Sequence, residues 1–161
     1  MEMNALKEIN WKRLIPALLI PLAVGALASL LTKDAMSRFG ALEKPPLSPP
    51  TWVFPVVWTI LYLLMGLASY LVVMSADGPE RATALRFYAL QLVFNFFWSI
   101  LFFNLEAYLL AFFWLLALLL LIVVTTVLFW RIRRSAGALL LPYLLWVSFA
   151  GYLNIGIYLL Q

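Results

Sequence analysis

The chain has 161 residues, of which 66% are apolar and 11% are charged, whereas soluble domains contain roughly 45–50% apolar and about 25% charged residues. A soluble domain of this size keeps too much surface to bury so many apolar side chains, which excludes a water-soluble globular protein. The absence of cysteine and histidine excludes disulfides and thiolate metal sites and removes the commonest metal ligand and general base, so no metal site is expected.

Five apolar segments are each long enough to cross the roughly 30 Å hydrocarbon core of a bilayer, which requires about 20 helical residues. The alternating pattern of a membrane β-barrel is absent from them. We therefore predict an all-α integral membrane protein, a five-transmembrane-helix bundle that forms a single domain over residues 1–161. The predicted spans are about 14–32, 51–76, 82–103, 107–130 and 137–160.

The first span is expected to remain in the protein as a membrane anchor. Lys12 and Arg13 before an apolar stretch also fit a cleaved signal peptide, and Ala26-Leu27-Ala28 would be a passable cleavage site. The apolar core of a signal peptide is usually about 7–15 residues long, shorter than the segment 14–31, which favours the anchor.

The connection between the first two spans, residues 33–50, is long and rich in proline. Its second part, Glu43-Lys44-Pro45-Pro46-Leu47-Ser48-Pro49-Pro50, has four prolines in eight residues, which predicts an extended and stiff segment. Residues 34–42 could form a short helix. We interpret the connection as a lid loop over the mouth of the bundle; the simpler alternative is a spacer that sets the distance between two helices.

Polar side chains are rare inside the predicted spans, and three spans carry theirs on one helical face together with an aromatic residue. These faces are Trp58, Tyr62 and Ser69 in the second span, Gln91, Asn95 and Trp98 in the third, and Trp146, Ala150 and Asn154 in the fifth. Each face could line a ligand pocket. Each could equally pack between helices, because Asn, Gln and Ser in membrane helices mostly hydrogen-bond a neighbouring helix.

The basic residues predict the orientation of the chain in the membrane. With five spans, eight of the eleven lysines and arginines lie on the side of the N-terminus, and only Lys33, Arg38 and Lys44 lie on the other side. The positive-inside rule then places the N-terminus in the cytoplasm and the C-terminus outside. Because these cations flank membrane spans, where they anchor to lipid, the net charge of +4 does not indicate a nucleic acid partner.

Three motifs in this chain have the order and spacing found in one membrane protein family. They are Glu43-Lys44-Pro45 through Pro49-Pro50-Thr51-Trp52-Val53-Phe54-Pro55 with Trp58-Thr59, Leu61-Tyr62, Met65-Gly66 and Tyr70; Gln91-Leu92 with Asn95, Trp98 and Phe102-Phe103; and Leu141-Pro142-Tyr143-Leu144-Leu145-Trp146 with Phe149-Ala150, Tyr152-Leu153-Asn154 and Tyr158. The motifs, from about residue 40 to 160, resemble the second, third and fifth helices of the tryptophan-rich sensory protein family, which includes the translocator proteins or peripheral benzodiazepine receptors.

The resemblance implies a five-helix bundle, often a homodimer, that binds porphyrins, haem and, in animal members, cholesterol and benzodiazepine-type drugs. It implies that the protein requires no cofactor and that porphyrin or haem is bound as a ligand. It also implies that the protein is surrounded by the lipid bilayer. Porphyrin transport, stress sensing and light-dependent porphyrin breakdown are roles proposed for the family. The ligand-binding positions implied here are Phe39 in the lid, Trp58, Gln91, Asn95, Trp98, Trp146 and Ala150.

Two departures from the family pattern refine this expectation. Leu47 stands where the family commonly has a tryptophan in the lid. The cholesterol motif requires Lys or Arg within five residues after a tyrosine, and no Lys or Arg follows Arg134, so the fifth helix cannot carry it. Together with the orientation, this predicts a protein of a bacterial cell membrane that is not specialised for sterol.

Three hypotheses for the function follow. The leading one is a receptor or carrier in which Trp58, Trp98 and Trp146 stack on a flat tetrapyrrole while Gln91 and Asn95 meet its polar edges. The second is a light- and oxygen-dependent porphyrin-degrading enzyme in which Trp58 and Trp146 undergo redox chemistry; no conventional acid, base or nucleophile supports it. The third is an assembly or structural protein without a ligand.

Overall fold

The computed structural model describes residues 8–161, so that Lys7 and the rest of residues 1–7 lie outside it. Helix α1 begins at Trp11 and continues through a 3-10 turn, Lys33–Ala35, into the short helix α2. A π-helical turn, Ile100–Asn104, prolongs α4. The helices are α1 (Trp11–Thr32), α2 (Met36–Gly40), α3 (Val53–Ser75), α4 (Pro79–Ser99), α5 (Tyr108–Ile132), α6 (Arg134–Leu139) and α7 (Leu141–Leu160).

Five helical stretches in the described part of the chain are long and apolar enough to cross a bilayer, which confirms the predicted all-α five-helix membrane protein. The third stretch begins at Pro79 rather than at residue 82, because proline is well tolerated in the first helical turn. The fifth begins at Arg134 rather than at 137, as the short helix α6. The stretches are Trp11–Gly40, Val53–Ser75, Pro79–Asn104, Tyr108–Ile132 and Arg134–Leu160.

The predicted lid loop 33–50 is irregular only in its second part. The short helix expected within residues 34–42 is confirmed as α2, which follows α1 after the single 3-10 turn. No proline and no glycine precede Gly40 in this stretch, so nothing interrupts the helical backbone before the prolines begin. The proline-rich segment then leads to α3, and it is not extended throughout as predicted: the chain turns at residues 46–47, where Leu47 has a φ of 70°, and again at 51–52.

The helices close into a ring around a shared interior. Helix α1 packs on α3 and α4, α4 packs on α5, and α5 packs on α6 and α7. Helix α3 completes the ring by packing on α6, but α3 and α7 are not among the closely packed pairs. The fifth span therefore diverges from α3 along its α7 part, which leaves an interior gap between the two backbones.

Two glycines allow α1 and α3 to approach each other. A Cβ on Gly66 would lie 2.7 Å from the carbonyl oxygen of Ala17 and 2.8 Å from the Cα of Leu18, so any side chain there would separate the backbones. A Cβ on Gly25 would overlap the ring of Tyr62. Helix α1 thus packs against the Tyr62 ring of α3 at Gly25.

Candidate functional site

Aromatic rings close the end of the gap that lies nearest the proline-rich segment. Phe39 of α2 is 4% exposed and lies between α3 and the π-helical turn. Its ring centroid is 5.6 Å from that of Phe54, 5.9 Å from that of Phe102 and 5.3 Å from that of Phe103. The short helix α2 therefore contributes the Phe39 side chain to the interior, and this side chain fills the end of the bundle.

A second set of rings joins α3 to α7 across the gap. Phe54 meets Trp146 edge-on at 5.8 Å between ring centroids. Trp58 stacks on Tyr62 at 5.6 Å and meets Tyr143 edge-on at 6.2 Å. Because the two backbones diverge here, aromatic side chains rather than close helix packing fill the space between them.

A buried hydrogen-bonded network lies beneath these rings and connects α3, α4 and α7. The Tyr62 hydroxyl donates to Oδ1 of Asn95 at 2.9 Å, and Nδ2 of Asn95 donates to the Tyr143 hydroxyl at 2.8 Å. The Tyr143 hydroxyl donates to Oε1 of Gln91 at 2.6 Å. Both amides are therefore bonded to neighbouring helices, which matches the packing alternative for these two residues.

Trp98 forms a third link, between α4 and α7. Its indole N–H donates to Oδ1 of Asn154 at 3.1 Å, and Nδ2 of Asn154 donates to the carbonyl oxygen of Tyr108 at 2.8 Å. The Trp98 ring stacks on Phe102 at 5.1 Å between centroids. The polar atom of Trp98 is therefore satisfied within the protein, and only its ring faces remain for other contacts.

Trp146 differs from Trp98 in that its indole N–H is buried without a partner among residues 8–161. A buried donor without an acceptor costs about 1–3 kcal/mol, so this atom would be stabilised by any acceptor that comes within hydrogen-bond distance. Its ring is half-buried between Phe54 and Phe149. Unlike Trp98, Trp146 therefore offers both a ring face and an unpaired donor.

The proline-rich segment lies against the second half of α7. The Tyr152 hydroxyl donates to the carbonyl oxygen of Pro46 at 2.7 Å, and Nε2 of Gln161 donates to that of Glu43 at 3.0 Å. A Cβ on Gly156 would come within 2.6 Å of Pro45, so the missing side chain leaves room for the proline ring. These contacts hold the segment along the side of the gap that α7 borders.

An exposed ion pair connects α2 to the turn before α5. The guanidinium of Arg38 contacts the carboxylate of Glu106 at 2.8 Å, and both side chains are about half exposed. Exposed pairs contribute only about 0–1 kcal/mol. The crevice beside this pair and Phe39 has no room for a water molecule, whereas ligand pockets occupy roughly 300–1,000 Å³. A large ligand therefore requires α2 and the rings to move apart.

All seven residues predicted as ligand-binding reach the interior of the bundle or its rim. Five are buried, and Trp58 and Trp146 are half-buried. Ala150 lies on the buried face of α7, one turn from both Trp146 and Asn154. The seven are Phe39, Trp58, Gln91, Asn95, Trp98, Trp146 and Ala150.

Several residues of the cluster were missing from the predicted site. Phe54, Tyr62 and Tyr143 contact its predicted members directly. Phe54, Trp58 and Tyr62 follow one another at four-residue spacing, which is an aromatic face that the sequence already displays. Within residues 8–161, no group of three or more acidic side chains is placed to hold a metal ion.

Comparison with known proteins agrees with this architecture. The family model described as TspO/MBR matches residues 17–160. The Tryptophan-rich protein TspO of Chlorobaculum tepidum is 40% identical over 135 residues, 83% of this chain and 85% of that protein. That of Archaeoglobus fulgidus is 36% identical over 154 residues, 95% and 99% of the two chains.

An animal protein is similar over nearly the same length. The Translocator protein of Bos taurus is 34% identical over 147 residues, 89% of this chain and 87% of that protein. The resemblance inferred from the three helical motifs is thereby confirmed. This five-helix membrane protein belongs to the TspO/MBR family.

Proposed function

We propose that the protein is a membrane receptor or carrier that binds porphyrin, haem and related flat apolar ligands in the gap between α3 and α7. Membership of the TspO/MBR family supports a membrane sensory or translocator role, and the proposal adds a ligand class and a site to it. The observation that carries the proposal is the divergence of α3 from α7, bridged by the rings of Phe54, Trp58, Tyr143 and Trp146.

The chemistry of a tetrapyrrole suits this gap. Its large flat π-system stacks on aromatic faces, and such pairs contribute about 0.5–1.5 kcal/mol beyond area burial. Its propionates need donors and cations, and the indole N–H of Trp146 is buried without a partner among the described residues. Arg38 and Lys44 lie at its outer end, where the Lys44 ammonium is 4.9 Å from the centre of the Phe39 ring. Ligand entry displaces Phe39 and the segment that carries it.

Titration with porphyrins tests the proposal directly. Metal-free protoporphyrin and haem are expected to bind within about tenfold of each other, because the chain lacks His and Cys and offers haem iron only Tyr or Met. Quenching of tryptophan fluorescence in the detergent-solubilised protein measures both affinities. A thousandfold preference for haem, with a spectrum of protein-coordinated iron, would refute binding by stacking. An absence of saturable quenching would favour the structural-protein hypothesis.

The porphyrin-degrading alternative makes a different prediction for the tryptophans. Phenylalanine preserves an aromatic face but resists oxidation, so Trp58→Phe and Trp146→Phe separate stacking from redox chemistry. For a receptor, we expect the parent, both variants and the double variant to bleach bound porphyrin at similar slow rates under light. The bleaching rate is measured at matched porphyrin occupancy. A parent rate tens of times that of the double variant, with a discrete product, would establish the enzyme instead.

The proposal includes an orientation and an association state. The N-terminus faces the cytoplasm and the segment before α3 faces outward in a bacterial cell membrane, because eight basic residues lie on one side and three on the other. Two copies of the chain associate, as the family resemblance implies. Because the chain has no cysteine, single cysteines introduced at Ser37 and Ser135 report the orientation through an impermeant thiol reagent.

A further inference from the structure

An open cleft lies at the opposite end of the bundle from Phe39. It occupies about 300 Å³ between the first turns of α4 and the last turns of α5, and no residue of the aromatic gap lines it. Its lining consists of Pro79, Glu80, Thr83, Leu128 and Arg131. Both helices end here, at the depth where a bilayer places its headgroups.

The cleft offers one cation and one anion that do not neutralise each other. Glu80 and Arg131 are both exposed, and neither takes part in an ion pair within residues 8–161. The neighbouring Arg81 is bound instead to Asp77 at 3.1 Å. Any molecule in the cleft therefore meets a separate carboxylate and guanidinium rather than a closed salt bridge.

The remaining lining suits a molecule that is part polar and part apolar. Leu128 and Pro79 contribute apolar surface, and Thr83 contributes a hydroxyl group. A phospholipid headgroup with its glycerol has this composition, and the cleft volume lies at the lower end of the range for ligand sites. A guanidinium binds phosphate well, because its planar fork matches two phosphate oxygens.

We propose that this cleft binds the headgroup of phosphatidylethanolamine. Arg131 donates hydrogen bonds to the phosphate, and the carboxylate of Glu80 accepts them from the primary ammonium. A choline headgroup has no N–H to donate to Glu80, and a glycerol headgroup has no positive charge to place beside it. The acidic residue therefore makes the cleft selective for a lipid amine, which a purely basic face would not be.

Native mass spectrometry of the purified full chain tests the assignment, with phosphatidylethanolamine, phosphatidylcholine and phosphatidylglycerol of identical acyl chains as probes. We expect the parent to retain the ethanolamine lipid about fivefold better than the choline lipid, which corresponds to the net contribution of one hydrogen bond. Glu80→Ala should abolish this preference, because it removes the acceptor of the ammonium N–H, and Arg131→Gln should weaken retention of both zwitterionic lipids. Comparing lipids within each variant cancels any general loss of stability.

Arg134→Gln is the matched control, because Arg134 is an exposed arginine nearby that does not line the cleft. It should keep the preference of the parent. Equal retention of the ethanolamine and choline lipids by the parent would overturn the proposal. So would the same loss in Arg134→Gln as in Arg131→Gln, or the tightest retention for phosphatidylglycerol, since both would indicate general attraction to a basic face.

Discussion

Ala150→Leu is expected to weaken porphyrin binding by about 1–3 kcal/mol, as overpacking of a filled site does. Ala150 lies on the buried face of α7, one turn from Trp146 and one turn from Asn154. Three additional carbon atoms at this position would occupy the space into which the proposed ligand inserts. The affinity for protoporphyrin, measured by tryptophan quenching, checks the prediction.

Ser148→Leu is the control for this substitution. Ser148 lies on the same helix but is exposed on its outer face, so added bulk there should leave the affinity near that of the parent. Thermal stability without ligand should change less than the affinity in Ala150→Leu. Parental affinity in Ala150→Leu would show that the ligand does not bind against this face of α7.

Asn95→Leu is expected to lower the free energy of unfolding by about 1–3 kcal/mol, even without a ligand. The amide of Asn95 accepts from Tyr62 and donates to Tyr143. Leucine has a similar size but leaves the Tyr62 hydroxyl without its acceptor inside the bundle. Denaturant unfolding in detergent, followed by fluorescence, measures the loss.

Asn104→Leu provides the matched comparison, because Asn104 makes a single hydrogen bond, to the carbonyl oxygen of Leu31, at an exposed position. Water can replace that bond, so its loss should cost less than half as much. Equal losses in the two variants would mean that the buried network between α3, α4 and α7 adds nothing specific to stability.

The five spans were predictable because the bilayer itself sets the length of an apolar helix. The exact residues at which the spans begin and end were harder to predict. The start of α4 at Pro79 depends on a favourable first turn after Gly78, whose φ is 76°, and the apolar pattern begins only later. The fifth span begins at Arg134, in helix α6, for a similar reason. A charged residue at the end of a span lowers the local hydropathy but does not end the helix.

The composition of the site was predictable in part, because three helical faces combine aromatic and polar residues. The partners of each side chain were not, since they depend on how the helices are rotated against one another. Trp98 and Trp146 are equivalent in sequence pattern, yet Asn154 accepts a hydrogen bond from Trp98 while the N–H of Trp146 is left unpaired among the described residues. The difference depends on which side chain of the neighbouring helix lies within hydrogen-bond reach, and a single sequence does not display that.

The contacts between the proline-rich segment and α7 have a consequence for evolutionary change. The segment contributes main-chain carbonyl groups, those of Glu43 and Pro46, and α7 contributes the side chains of Tyr152 and Gln161. Every residue type has a carbonyl group. Substitutions along the segment therefore preserve the acceptors, whereas substitution of Tyr152 removes a donor. Side chains of this segment can therefore change without loss of these two hydrogen bonds, except that Pro45 is also held by its shape, because its ring fills the space left by Gly156.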